Sequence, residues 1–121
     1  MFLVVGAANA ADKWEYVHFT KTTDIGRNLT QFILAYPDGK KDVWSEKRII
    51  PPKLFFDFAA PRCDKVDFAL MADALKKDFS QPINVINALG ICGFEMSGYN
   101  MVEASGIVAE NFWFKRNKSS P

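Results

Sequence analysis

His18 is the single histidine in this chain of 121 residues. Acid–base chemistry near neutral pH would therefore fall to it first. Tyr16 lies two places before it, and Glu95 and Arg116 sit in the C-terminal part of the chain. Brought together, Tyr16, His18, Glu95 and Arg116 would make the best scattered catalytic cluster the residue types allow. Cys63 or Cys92 beside His18 would be a thiol–imidazole pair, although neither cysteine is near it in sequence. The competing reading of His18 is a packed or half-exposed side chain on an aromatic strand.

Other chemistries lack their residues. One histidine excludes a zinc site built on two. No Gly-x-Ser-x-Gly segment presents a serine. Gly90-x-x-Gly93 follows a helical pattern instead of opening one, so it does not cradle a phosphate. Asp57, Asp64 and Asp67 lack calcium-loop spacing. The formal net charge is +1, with both signs interleaved, and Lys115, Arg116 and Lys118 form only a small terminal cluster. No nucleic-acid footprint is present. No cofactor is implied, and no apolar run reaches the ~18 residues that span a bilayer.

Two cysteines leave two readings open. Cys63 and Cys92 are a candidate disulfide if the protein is exported, closing a loop of about 30 residues worth ~3–4 kcal/mol in the chain-entropy account. In a reducing compartment they would be buried small hydrophobes. The N-terminus bears on the choice. Residues 1–10 are apolar and uncharged and end in Ala8-Asn9-Ala10, a small-x-small triplet of the kind signal peptidase cleaves. They are read as the remnant of a signal peptide, which places the protein in the periplasm or outside the cell.

The elements that must position these residues follow from the pattern. The length suits one domain, residues 11–121. Nearly half of the chain is hydrophobic, with 11 phenylalanines, which predicts a ring-rich core. Residues 13–20 alternate as a strand, with Trp14, Tyr16 and His18 on one face and Glu15, Val17 and Phe19 on the other. Residues 21–28 read as a loop. Residues 29–36 fit helix or strand; Pro37-Asp38-Gly39-Lys40 is turn chemistry and favours a hairpin with 41–49. After Pro51-Pro52, residues 53–61 read as an aromatic linker. Asp64 and Asp67 are placed to cap a helix over roughly 65–79, whose Phe68, Met71, Ala72, Leu75 and Phe79 form a core stripe and whose Asp73 and Lys77 make an i,i+4 pair. Ser80 is expected to cap a shorter helix that starts at Pro82 and stops at Gly90 in a left-handed C-cap. Strands over 94–102 and 107–116 complete the chain, with Phe94 and Met96 turned toward the helix and Glu95 outward, in reach of Arg116 or Lys115.

Three blocks carry a family resemblance. Lys13-Trp14-Glu15-Tyr16 is the first. Ile86-Asn87-Ala88-Leu89-Gly90 followed, two residues on, by Gly93-Phe94-Glu95-Met96 is the second. Asn111-Phe112-Trp113-Phe114-Lys115-Arg116 is the third. In this order they resemble a small bacterial family, a domain of unknown function with a Trp-Glu-Tyr block, a Leu-Asn-x-Leu-Gly-x-x-Gly-Trp-Glu-Leu block and an aromatic pair before Phe-Lys-Arg. Ile86, Phe94 and Met96 depart from that pattern, and residues 21–80 stand as a large insertion. The resemblance implies a three-stranded antiparallel sheet with a helix on one face, and no activity.

The resulting expectation is an α+β fold: a small antiparallel sheet with a helix packed on one face, plus an inserted hairpin and an amphipathic helix. A helix covers only one face of a small sheet, so surplus rings are left over. Tyr36, Trp44, Tyr99 and Trp113 are candidates for an exposed patch, unless the insertion covers them. With Tyr16, His18, Glu95 and Arg116 they form the candidate binding set. The leading expectation is a non-enzymatic exported domain that binds a partner protein or small ligand through an aromatic sheet face or the 29–49 hairpin. An enzyme centred on His18 and a homo-oligomer joined through a sheet edge are the alternatives.

Overall fold

The computed structural model describes residues 13–45, 52–63 and 68–118. The signal-peptide reading of residues 1–10, the end of the 41–49 strand and the Asp64–Asp67 cap fall outside them. The described chain is an α+β unit: one five-stranded antiparallel sheet with three helices on one face. Its strands are β1 (Trp14–Asp24), β2 (Leu29–Ala35), β3 (Lys41–Ser45), β4 (Glu95–Ala104) and β5 (Ile107–Asn117), in the order β3-β2-β1-β5-β4. The helices are α1 (Lys53–Cys63), α2 (Phe68–Leu75) and α3 (Pro82–Ile91). The expected hairpin is present, and it joins the same sheet: β2 pairs with β1, setting Phe19 opposite Leu34.

Strand alternation decides what is buried. On the helix side, Val17, Phe19, Phe32, Leu34, Trp44, Phe112 and Phe114 pack beneath Phe55, Phe58, Phe79, Val85, Ala88 and Leu89. Phe19 lies at the centre, its ring 5.5 Å from Phe112, 6.0 Å from Trp44 and 6.1 Å from Phe32. Phe55 meets Phe79 edge-on at 5.4 Å. Such ring pairs each add about 0.5–1.5 kcal/mol beyond the area they bury.

Several local expectations are corrected. β1 does not end at residue 20; it runs to Asp24 because β5 pairs with it along its whole length, from Trp14 opposite Asn117 to Asp24 opposite Ile107. Residues 53–61 are not a linker but helix α1. Phe55, Phe58, Ala59 and Arg62 recur at i, i+3, i+4 and i+7 and face the core, while Phe56 and Asp57 face out. The flanking prolines disguise it: Pro52 accepts the Phe55 N–H at 3.1 Å at its start, and Pro61 sits in its last turn. α2 stops at Leu75, between Asp73 and Lys77. Ser80 does not cap α3; its N–H and hydroxyl both bond Asp78 Oδ1, at 2.8 and 2.6 Å, and Gln81 holds the N-cap position. Gly90 stays inside the helix. The left-handed residue is Gly93, at φ +88°, where the Gly93 N–H reaches Gly90 O and the Phe94 N–H reaches Leu89 O, both at 3.0 Å. That is a Schellman closure, with Phe94 folding back over α3.

One ionic cluster ties the layers together. Glu15 is 9% exposed, and its carboxylate accepts Arg116 Nη1 at 3.0 Å and Arg62 Nη2 at 2.6 Å. Arg62 Nε lies 3.1 and 3.2 Å from the two oxygens, and its Nη1 donates to Phe58 O at 2.9 Å. Burial by itself raises the Glu15 carboxyl, but the hydrogen bonds and charge of Arg62 and then Arg116 outweigh it and hold the group below its ordinary value near 4.5. Because the folded value is depressed, this stabilisation is fully present above the unfolded carboxylate range and is lost as pH falls through the folded value. Glu15→Gln removes the carboxylate that Arg62 and Arg116 share and should cost about 3–5 kcal/mol at neutral pH. In urea melts it should also flatten the loss of stability that the parent chain shows below about pH 4.

Candidate binding face

None of the three helices covers the second face of the sheet. It carries Trp14, Tyr16, His18 and Thr20 from β1, Asn111, Trp113 and Lys115 from β5, and Gly98 and Asn100 from β4. The cross-strand register places His18 opposite Trp113 and Thr20 opposite Asn111. The imidazole and indole lie parallel, with 4.9 Å between centroids and 1° between planes. On its other side the indole rests over Gly98, where an added Cβ would stand 3.5 Å from Trp113 Cε3. A β-bulge between Met96 and Gly98 brings that glycine into register with Trp113.

Beside the stack runs a polar row. His18 Nε2 lies 2.9 Å from Asn111 Oδ1, and the Thr20 hydroxyl donates to the same oxygen at 3.2 Å. Asn111 Nδ2 donates to Asn100 Oδ1 at 3.0 Å. With Asn111 Oδ1 as acceptor, His18 Nε2 is the donor in that contact. At the other end, Lys115 Nζ sits 4.6 Å from the Trp14 ring centre and 3.9 Å from Glu95 Oε1.

The sequence-derived candidates divide between locations. Tyr16, His18, Glu95 and Trp113 share the open face, with Tyr16 57% and Trp113 37% exposed. Tyr36, Trp44 and Arg116 do not join them; all three are buried on the helix side. Tyr36 donates to Asp42 Oδ2 at 2.6 Å, and burial, with Asp42 beside it, drives its hydroxyl far above the ordinary range. Asp42 also accepts the Leu54 N–H at 3.3 Å, holding the first turn of α1. Trp44 Nε1 donates to Phe79 O at 3.2 Å. Arg116 pairs with Glu15, so Glu95 is left to Lys115. Tyr99 is on the helix side beyond the helices; its hydroxyl donates to Glu110 at 3.0 Å, which raises its pKa, and its ring meets Phe112. Asn111, Thr20, Asn100 and Lys115 were missed as site residues. Their only signal was strand parity with His18 and Trp113, which has meaning once the register between β1 and β5 is known.

Arg116 on the opposite face breaks up the expected cluster of Tyr16, His18, Glu95 and Arg116. Nor does His18 form a relay with Thr20. In a nucleophile–base–orienter relay, the orienter holds one ring nitrogen and the nucleophile faces the other. Here Thr20 and Asn111 both approach Nε2, the hydroxyl at 3.2 Å. The arrangement presents rings, amides and one ammonium to solvent.

Among the described residues, the helix side carries concave surface. A cleft of about 570 Å³ has Phe94, Met96 and Phe114 in its floor and Asp73, Lys77 and Asn87 in its walls. A smaller hollow of about 130 Å³ lies between Tyr36, Asp57 and Arg62. Among the described residues, no group of His, Cys, Asp or Glu is arranged to hold a metal ion, and no helix is long and apolar enough to cross a membrane. Cys92 is buried, and no free cysteine stands among the described residues; the Cys63 side chain falls outside them.

Comparison with protein-family models, with curated proteins and with solved structures gives no match.

Replacing His18 with alanine removes one side of the indole sandwich and a partner of Asn111. It should cost about 1 kcal/mol or less, as expected of a partly exposed ring pair. It should also shift the Trp113 indole N–H resonance while leaving the resonances of Phe19 and Trp44 in place.

Proposed function

We propose that this protein is an exported, non-enzymatic binding domain that takes its partner protein or small ligand on the open sheet face. The observation that carries the reading is the His18–Trp113 stack continuous with the Thr20–Asn111–Asn100 row. Rings offer apolar contact area at little entropic cost, and the adjoining amides and hydroxyl supply direction. Held by cross-strand pairs, they need little reordering on binding. The 29–49 hairpin contributes Ile33 and Val43 to this same face, since Tyr36 and Trp44 are engaged in the core.

The chain is read as a divergent, enlarged relative of the family its three blocks resemble, with residues 21–80 as its own addition. Export is supported by the apolar start ending in Ala8-Asn9-Ala10. It also favours a Cys63–Cys92 bridge joining the end of α1 to the C-cap of α3, in keeping with a buried Cys92 that is not a free thiol. Intact mass before and after reduction tests the bridge: a mass gain on reduction without added alkylating agent supports it, and no change removes it.

The binding reading is tested with soluble oligosaccharides and peptides of mixed sequence as probes, followed by amide chemical shifts. A bound probe should perturb His18, Asn111 and Trp113. Trp113→Ala should weaken it by roughly tenfold or more, the loss of about one ring contact. Ile83→Ser, an exposed apolar position on α3, should leave it unchanged. Probes that perturb only the cleft between α2 and α3 would overturn the reading.

A further inference from the structure

The two edges of the sheet are built differently. In its described part, Lys41–Ser45, β3 opens on the charged Lys41 and Asp42. Charge is a usual protection of an edge against pairing with another strand. β4 spans Glu95–Ala104 and is exposed along almost all of it. Between Glu95 and Glu103 it carries no charge and no proline. Tyr99, Met101 and Val102 are 50%, 63% and 51% exposed. Its one protective device is the bulge at Ser97, which interrupts only its first part. From Gly98 onward the outer row of backbone donors and acceptors is a straight template for another strand.

We infer that β4 is a self-association edge, and that its occupant is β4 of a second copy of this chain, paired antiparallel about a two-fold axis at Asn100. The strand's own sequence selects this partner. In an antiparallel ladder, directly opposed residues must be of the same hydrogen-bonding type, so the register moves only in steps of two. With Asn100 opposite its counterpart, Tyr99 faces Met101 of the second copy and Gly98 faces Val102, each pair occurring twice. The aromatic–thioether contact falls on the helix side, continuing the Tyr99–Phe112 pair at 5.0 Å. The small–large contact falls on the open side, next to Trp113. Both glutamates stay outside the stretch from Gly98 to Val102. The neighbouring register centres on Tyr99, sets Glu95 opposite Glu103 of the other copy, and is disfavoured by like charge. The association joins two five-stranded sheets into one. It also lays the two open faces side by side, and it stands whether or not that face binds a ligand.

Sedimentation velocity of the full chain over a range of micromolar to roughly 1 mM concentrations tests it. The expected result is a monomer–dimer equilibrium. Met101→Lys sets an ammonium against Tyr99 on both sides of the axis and should weaken association by roughly tenfold or more, because each substitution is felt twice. Its far-ultraviolet spectrum, and its melting temperature at a concentration where the parent is monomeric, should match the parent chain. Val43→Lys, the equivalent change on the β3 edge, should leave the equilibrium as it was. Asn100→Cys should give a covalent dimer under mild oxidation. A parent chain that stays monomeric at the highest concentration overturns the inference. So does a dimer that survives Met101→Lys but is lost in Val43→Lys, which would move the contact to β3.

Discussion

Glu15 is the junction on which the rest of the architecture turns. It is the buried carboxylate of β1, and it holds one arginine from α1 and one from β5. Removing two guanidiniums and a carboxylate from water is costly, and the hydrogen bonds they make offset that cost. The cluster therefore behaves as a fixed joint: α1 is anchored where Arg62 can reach Glu15 and also donate to Phe58 O. Arg116 extends the joint further. Its side chain lies against Gly93, where an added Cβ would come within 3.3 Å of Nε, so the α3–β4 turn is packed against the same ion. Three connections distant in sequence thus converge on one carboxylate.

With the helices anchored there, the sheet divides into two unlike faces. The helix side fills with phenylalanine, because Val17, Phe19, Phe112 and Phe114 alternate inward on adjacent strands. The other side receives the residues between them. Alternation along two paired strands is enough to put Trp14, Tyr16 and His18 alongside Asn111, Trp113 and Lys115. An open face of this kind needs polar partners to hold its rings in place. Asn111 supplies them, bonding His18, Thr20 and Asn100 at once. No described helix covers the surface, and its own hydrogen bonds order it, the condition for a binding surface that needs little rearrangement.

Much of this was legible from local pattern. The alternation in Trp14 to Phe19 assigned both faces of β1 correctly, and Pro37-Asp38-Gly39-Lys40 marked the β2–β3 turn, with Gly39 at φ +89°. Other features were hidden for identifiable reasons. α1 was masked by prolines at both ends, although its apolar spacing is helical. The C-cap was assigned to the first glycine of the Gly90–Gly93 pair, since either could take the left-handed conformation, and only the packing of Phe94 on α3 selects the second. The candidate site was half legible. His18 and Trp113 were singled out, but Tyr36 and Trp44 were grouped with them because a strand's periodicity does not tell which face a helix will cover. Arg116 was placed outside because an arginine near a chain end is most often solvated, and its partner is Glu15, far away along the chain.

By itself, the sequence determined the secondary-structure class, the aromatic character of the core and the two faces of β1, because those follow from side-chain type and a period of two; in β4 the bulge between Met96 and Gly98 breaks that period. The tertiary structure alone decided which face is covered, which residues meet across β1 and β5, and where the charges of Glu15, Arg62 and Arg116 go. Pairing register and burial are properties of chain segments remote from one another, and their energies exist only once those segments are in contact. The open face and the unprotected β4 edge follow from that choice: covering one side of a five-stranded sheet with every described helix leaves the other side, and one long edge, to face whatever the protein meets.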